Sequence, residues 1–455
     1  MEHEHDRGAG PGRPLFSPAP PSLGRVALIH YTCPPIIGGV EGLLRVHARL
    51  FVEHGYTVAV FAGRGRQFDR RVPVHLEPLL DSKHPAVLAI GAELGRGEVT
   101  ARFFALRDRL VAWGQAVLAA FDTVIVHNAF SLHFNLPLTA ALHALADASG
   151  APGAGPAAPR FIAWCHDLSW ANPLYRPLLR EAYPWTLLKT CHPAVRYVVV
   201  SHDRQRELAA LAGVPAAQLA VVPAGVELAD WFRFRRATRR LLAQLDLAPE
   251  ELVLLLPARL TRRKNVELAI RVVAALRALG ERPRLLITGP PGPHDARANA
   301  YLDELQRLRT ALGVEREVVF LHPYRLTDAM IADLYQVADV LLLPSRQEGF
   351  GIPLLEAGLA RLPVFCTDLP PLREIAGDRV AGYFAPDEAP AELARRLVEF
   401  LARDPATRLR RRVRQAYAWN VVFPQAIAPL LMGGPLAGAP PTAPAEHGGC
   451  SPGVA

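Results

Sequence analysis

Two α/β domains, each a parallel sheet covered by helices, are what this sequence predicts. Three observations carry the prediction. Short apolar runs rich in branched residues alternate with longer stretches of helical periodicity from Arg25 to Leu401, the pattern of repeated βαβ units. That alternation is interrupted once, by an arginine-rich stretch at Trp231–Arg240 that reads as a linker helix. The length of 455 residues exceeds what one hydrophobic core usually supports.

Composition narrows the class. Half of the residues are hydrophobic and 21% are charged, which is globular rather than disordered. The five cysteines (Cys33, Cys165, Cys191, Cys366 and Cys450) are far apart and odd in number, with no Cys-x-x-Cys pair. Neither a disulfide framework nor a zinc knuckle is supported, and a reducing cytosol is the expected location. No apolar run approaches the roughly 20 residues that span a bilayer. The start, MEHEHDRGAGPGRP, lacks an apolar core and does not read as a signal peptide. A net charge of +8 suits anionic partners or a solvated arginine-rich surface; nucleic acid has only that charge behind it and is not expected.

Residues 1–22 are rich in Pro, Gly and His and read as a disordered tail. The first strand is RVALIH, Arg25 to His30, and the first helix runs from Val40 to His54 with Leu43, Leu44, Leu50 and Phe51 on its apolar side. Gly38 and Gly39 therefore fall in a β-to-α turn, where backbone N–H groups can meet a phosphate. Strands follow at Thr57–Phe61, Thr123–Val126, Phe161–Cys165, Tyr197–Val200 and Ala220–Val222. Helices are expected over Ala101–Ala120, His133–Asp147 and Asp203–Ala212, and ASGAPGAGPAAP (148–159) reads as a flexible loop. Three strand ends carry polar groups: His127-Asn128, His166-Asp167 and Ser201-His202. Carboxyl ends of parallel strands are where such sheets bind ligands. Trp164, Trp170, Trp185 and Tyr175 are available for a sugar face or for core packing.

The second series starts at Leu252. Its first strand, LVLLLP, leads to Arg259 and then to Lys264, which flank a β-to-α turn. Two cations there can neutralise a diphosphate, Arg with a forked donor and Lys as a point charge. Strands follow at Arg284–Thr288, Val318–Leu321, Val340–Leu343, Pro363–Cys366 and Gly382–Phe384, with a helix at Glu392–Leu401. The loop Gly289–Asn299 suits a donor lid or a surface turn. Ser345–Gly351 is a polar, glycine-bearing loop, and Pro353 suits the start of the next helix. Glu348 lies in that loop, and Glu356 is expected in the first turn of the helix. Leu409–Leu431 reads as one last helix, with Trp419 and Phe423 as anchors, and the Gly/Pro/Ala-rich remainder as a tail.

The stretch Glu348-Gly-Phe-Gly-Ile-Pro-Leu-Leu-Glu356 resembles the Glu-x7-Glu motif of retaining GT-B glycosyltransferases of group 1 (family 4). Pro344-Ser345, Ala357-Gly358 and Pro363-Val364 look like the same family. So do the order Arg-Leu-x3-Lys-Asn at Arg259–Asn265, the PxxGGVE turn around Gly38-Gly39 and the VVPAGVE turn ending at Glu227. The resemblance implies two Rossmann-like domains facing across a cleft: residues 23–228 on the acceptor side and 229–415 on the donor side. Residues 416–432 would cross back to the first domain, and 433–455 would be a tail. It implies a retaining hexosyltransferase whose donor substrate is a nucleotide-diphosphate sugar, with no further cofactor.

By the same resemblance Glu348 meets donor-sugar hydroxyls, Glu356 the ribose, Arg259 and Lys264 the diphosphate, and His166 the donor sugar. Gly38, Gly39, Gly349, Phe350, Gly351, Leu354 and Leu355 line the donor site, and His127 and Asn128 shape the acceptor side. No Asp-x-Asp pair occurs, so no metal ligands are assigned. The acceptor is an unidentified hydroxyl on a glycan, a lipid or a small phosphorylated sugar. The five arginines of Trp231–Arg240 form a solvated helix face or a peripheral contact with the anionic inner face of a membrane. A dinucleotide oxidoreductase is disfavoured because Gly63-Arg64-Gly65 and Gly349-Phe350-Gly351 do not complete G-x-G-x-x-G after a strand. A non-catalytic sugar-nucleotide-binding protein is the other alternative; the presence of both glutamates and both cations speaks against it.

Overall fold

Fully apolar strands need cover on both faces, and the helices between them supply it. The computed structural model describes residues 22–151, 158–291 and 298–434. Residues 1–21 and 435–455 of the expected tails, 152–157 of the Gly/Pro/Ala loop and 292–297 of the expected lid lie outside the described residues. The chain forms two compact units, one running to Ala224 and resuming at Phe423, the other spanning Gly225–Val422.

The first unit holds a seven-stranded parallel sheet. Its strands are β1 (Arg25–Thr32), β2 (Thr57–Arg64), β3 (Val74–Leu76), β4 (Thr123–His127), β5 (Arg160–Cys165), β6 (Val195–Val199) and β7 (Ala220–Val221). Their order is β3-β2-β1-β4-β5-β6-β7, so the sheet reverses direction of growth between β1 and β4. Helices Gly39–Glu53, Ala101–Leu118 and Leu136–Gly150 cover it. The second unit repeats the plan in a six-stranded parallel sheet: β8 (Leu252–Leu256), β9 (Pro283–Ile287), β10 (Val318–Phe320), β11 (Val340–Leu343), β12 (Val364–Thr367) and β13 (Gly382–Phe384). The order β10-β9-β8-β11-β12-β13 places its reversal between β8 and β11. Every residue of β8, β9 and β11 is buried; the apolar runs require it, and Arg284 of β9 is paired with Glu251 at 2.9 Å. The doubly wound α/β class stands.

Several elements depart from the sequence-based expectation. Edge strand β3 and the helix Pro85–Gly95 are not foreseen. Glu356 is not in the first turn of its helix: that helix begins at Ile352 and has no acidic residue in its first turn. The expected last helix is not continuous. A helix Pro405–Ala416 ends at Tyr417, and short turns from Trp419 to Leu431 follow. The chain rejoins the first unit at Phe423, not at 416, and leaves it at Ala224, not at 228. Trp419 belongs to the second unit, where a Cβ on Gly225 would meet its ring at 2.7 Å; Phe423 belongs to the first, stacked on His54 with centroids 3.7 Å apart.

One buried ion pair ties the helix Pro405–Ala416 to the second sheet. Arg414 Nη1 donates to both oxygens of Asp339 at 2.8 and 2.7 Å. Asp339 also accepts from the Val253 N–H at 2.9 Å, and Arg414 Nη2 donates to the Glu251 carbonyl at 3.1 Å. Such a pair holds position more than it adds net stability, but losing one partner strands a buried charge.

Candidate active site

Where a parallel sheet reverses its order, the loops after two adjacent strands part and leave room for a ligand. In the second unit those strands are β8 and β11, and the two loops meet there. The turn after β8 carries Arg259 and Lys264; the loop after β11 carries Ser345 and Glu348. Lys264 Nζ donates to Glu348 Oε1 at 2.5 Å, and Ser345 Oγ donates to the same oxygen at 2.6 Å. The two charged side chains are only 10% and 6% exposed. Glu348 Oε2 lies 3.7 Å from Arg263 Nη1 and retains capacity to accept from a hydroxyl. Two further bonds pin the loop: Arg346 N–H to the Arg263 carbonyl at 2.7 Å, and Thr367 Oγ1 to the Ser345 carbonyl at 2.6 Å.

Arg259 is exposed, and its guanidinium has no recorded partner among the described residues, so it is available to an anion. The turn beneath it is tight: a Cβ on Gly289 would meet the Ala258 carbonyl oxygen at 2.2 Å and Arg259 Cα at 2.4 Å. Asn265 ends the turn in the left-handed region (φ 51) and donates to the Pro386 carbonyl at 2.9 Å.

Gly351 starts the helix Ile352–Ala360 with φ 121, and a Cβ there would strike Leu372 at 2.6 Å. Only glycine suits both demands. Its N-terminal N–H groups have no side-chain cap, which leaves donors for an anion. Gly349 is open, with no atom within 4 Å of a built Cβ, and Phe350 is half exposed. Glu356 lies in the second turn, exposed, and accepts a hydrogen bond from the Tyr335 hydroxyl. Burial, followed by that carboxylate, pushes the Tyr335 phenol well above its usual range, so it stays a donor. Leu355 is exposed, but Leu354 is buried in the core; its side chain has no face to offer a ligand, against the expectation for it.

The first unit presents its own carboxyl edge at β1, β4 and β5. Gly38 precedes the helix Gly39–Glu53 in extended conformation, and a Cβ on it would meet the Glu41 carboxylate at 2.0 Å. Glu41 also accepts from Thr32 Oγ1 at 2.5 Å. A carboxylate thus stands beside the turn expected to receive a phosphate. Gly39 is open, with nothing within 4 Å of a built Cβ.

Three imidazoles gather with that of His166: His30, His47 and His127. His127 Nδ1 and His166 Nε2 are 3.0 Å apart, and His30 Nδ1 is 3.1 Å from the His127 carbonyl. The His47 ring lies 5.5 Å from His127 and 4.6 Å from Trp164. Burial first, and repulsion between imidazoles second, hold His47, His127 and His166 neutral: His47 is pushed down to about 3, His166 to about 4, and His127 below the usual range. Burial alone pushes His30 down, against the opposing pull of the His127 carbonyl and Glu41. Trp164, Trp170 and Trp185 are buried in the core, so packing accounts for them. Tyr175 is half-buried against His133 and Phe134.

Sequence reasoning did not single out Arg263, Ser345 or Tyr335 for these contacts, nor Glu41 beside the glycine turn. Arg263 is adjacent to Lys264, and Ser345 stands three residues before Glu348. Tyr335 carries no local signal, because it meets Glu356 only through the packing of two helices. Among the described residues no group of three or more His, Cys, Asp or Glu is placed to hold a metal ion, and no helix is long and apolar enough to cross a membrane. In the arginine-rich stretch, Arg235 pairs with Asp333 at 3.2 Å and Arg239 with Asp230 at 2.9 Å.

Known proteins resemble both halves of the chain. The model for glycosyl transferases group 1 matches residues 238–418, and that for glycosyltransferase family 4 matches residues 37–230. A D-inositol 3-phosphate glycosyltransferase of Geodermatophilus obscurus is 32% identical over 216 residues, which cover 46% of this chain and 46% of that protein. The one from Streptomyces bingchenggensis is 32% identical over 221 residues, 47% of this chain and 46% of that protein. The match spans about half the length of these relatives. Among solved structures, sucrose-phosphate synthase from Thermosynechococcus elongatus is 18% identical with a TM-score of 0.36, covering 90% of this chain and 98% of that one.

Proposed function

Because this chain belongs to the group 1 glycosyltransferases of GT-B type, we propose that it moves a sugar from a nucleotide-diphosphate sugar to a hydroxyl acceptor with retention at the anomeric carbon. The observation that carries this reading is the constellation Lys264, Glu348 and Ser345, with Arg259, exposed and without a side-chain partner among the described residues, beside it on the same turn. It supplies cations for a diphosphate and a carboxylate for sugar hydroxyls at one sheet reversal.

The chemistry asks for charge placement. The bond from the anomeric carbon to the phosphate oxygen breaks, and the acceptor oxygen bonds to that carbon on the same face. The acceptor proton passes to the departing phosphate oxygen. Arg259 and Lys264 stabilise the charge gathering on the diphosphate, helped by the N–H groups at the start of the helix Ile352–Ala360. Glu348 faces the cationic sugar ring, with Lys264 and Ser345 fixing its carboxylate. Glu356, oriented by Tyr335, holds the ribose. His166 meets the donor sugar. Because the relatives are D-inositol 3-phosphate glycosyltransferases, a phosphorylated cyclitol is the first acceptor to test, ahead of glycans and lipids.

A thermal-shift screen of UDP-, GDP- and ADP-sugars, followed by assay of nucleotide release, tests the reading. One donor should stabilise the protein by about 2.7 kcal/mol at a hundred times its Kd and be consumed when acceptor is added. Turnover should persist in excess chelator, since the cations here are side chains. If no sugar nucleotide either shifts the transition or is consumed, the reading is wrong.

A further inference from the structure

We infer that His127 and Asn128 are positioning residues that present His166 to its ligand as a neutral N–H donor. The inference rests on the reading of His166 as a donor contact and deepens it. His127 ends β4, and β5 lies beside it in parallel register, with His127 opposite Trp164. The two residues at the end of β4 thus reach the two residues just beyond β5. Asn128 takes the left-handed conformation (φ 62), which asparagine tolerates. From there its Oδ1 accepts from the His166 N–H at 2.8 Å and the Asp167 N–H at 3.4 Å. Asn128 therefore fixes the backbone of His166, and His127 fixes its ring.

The ring of His127 has little freedom to turn. It is fully buried, with His47, Trp164 and His30 at centroid distances of 5.5, 5.8 and 6.4 Å. The groups facing it are the imidazoles of His30 on β1, His47 on the helix Gly39–Glu53 and His166 after β5. Glu41 acts on this group through His30. Between two neutral imidazoles one nitrogen must donate and the other accept.

Among the described residues the buried Nε2 of His127 has no partner; buried orphan N–H groups of the backbone are rarer than under-satisfied carbonyls, and the same preference is applied to the ring. The proton of His127 is therefore on Nδ1, donated to His166 Nε2. The proton of His166 is then on its own Nδ1, which has no recorded partner among the described residues. His166 offers a hydrogen-bond donor and not a base.

Nitrogen-15 NMR of the histidines at pH 7.5 reads the tautomer directly. The expected pattern for His166 is protonated Nδ1 and bare Nε2 in the native chain. His127→Leu should shift His166 toward the Nε2–H form and lower kcat/KM about tenfold, the worth of one neutral hydrogen bond. His127→Asn keeps an amide donor near the Nδ1 position and should restore both the pattern and most of the rate. A native His166 protonated on Nε2, or a pattern unchanged in His127→Leu, overturns the inference. If His166→Ala leaves turnover intact while the tautomer pattern is as expected, the positioning stands and the assignment of His166 as a donor contact falls.

Discussion

The Lys264–Glu348 pair can be tested on its own energetics. Lys264→Met removes the ammonium that lies 2.5 Å from Glu348 and leaves a carboxylate whose side chain is 6% exposed. Ser345 still donates to it, and Arg263 remains 3.7 Å from its other oxygen on a half-exposed side chain. Breaking a buried pair by removing one partner costs about 3–5 kcal/mol; with Arg263 nearby, the lower end, about 3 kcal/mol, is expected. Glu348→Gln keeps an oxygen for Lys264 and Ser345, and the ammonium is less enclosed, so about 1.5 kcal/mol is expected. The double variant carries neither charge and should cost only about 2 kcal/mol. The coupling is then about 2.5 kcal/mol, large for residues 84 positions apart in the chain but ordinary for a contact. Urea unfolding of the four proteins, following the transition of the second unit, measures it. A coupling below about 0.5 kcal/mol would show that the pair does not form in solution, and with it the argument that Lys264 orients Glu348 would fail.

Three further expectations follow from other contacts. If Glu356 holds the unchanging ribose, Glu356→Gln should raise KM about 10- to 150-fold with little effect on kcat. Tyr335→Phe should raise it by less, and a fall in kcat in either variant would reverse the assignment. The buried histidines should make the first unit acid-sensitive. Their folded pKa values are depressed, to about 3 for His47 and about 4 for His166, so the unfolded chain takes up protons first. The associated stability is present above about pH 6.5 and is lost as pH falls toward 4, by about 2 kcal/mol per histidine between pH 7 and 5. Melting curves across that range should show the loss and His47→Phe should lessen it; a flat profile would contradict the burial. Arg414→Met should destabilise the second unit by about 3 kcal/mol, at the low end because Arg410 lies 3.6 Å from Asp339. A midpoint in urea unchanged by that substitution would refute the role given to the pair.

Local chemistry made much of the fold legible. The apolar run Val340–Leu343, short and bounded by a polar, glycine-bearing loop, reads as an interior strand, and Pro353 after those glycines reads as a helix start. The same reading found Arg259, Lys264, Glu348 and His166 at strand ends, because strand ends are defined by where apolar runs stop. Short elements escaped it: β3 has three residues, too few for a period to register. The break near Tyr417 escaped for another reason, since the basic, aromatic and apolar residues around it kept a helical look.

Which residues lie at the carboxyl ends of strands follows from where the apolar runs stop; which of those ends are neighbours depends on the folded chain. Strand order brings the loops after β8 and β11 together and so pairs Lys264 with Glu348. It also sets β4 beside β5, so that His127 and Asn128 can hold His166. Helix packing joins Tyr335 to Glu356. Each of these contacts is a charge or hydrogen bond between residues distant in the chain. Periodicity reports which way a side chain faces, and carries no information on what stands opposite.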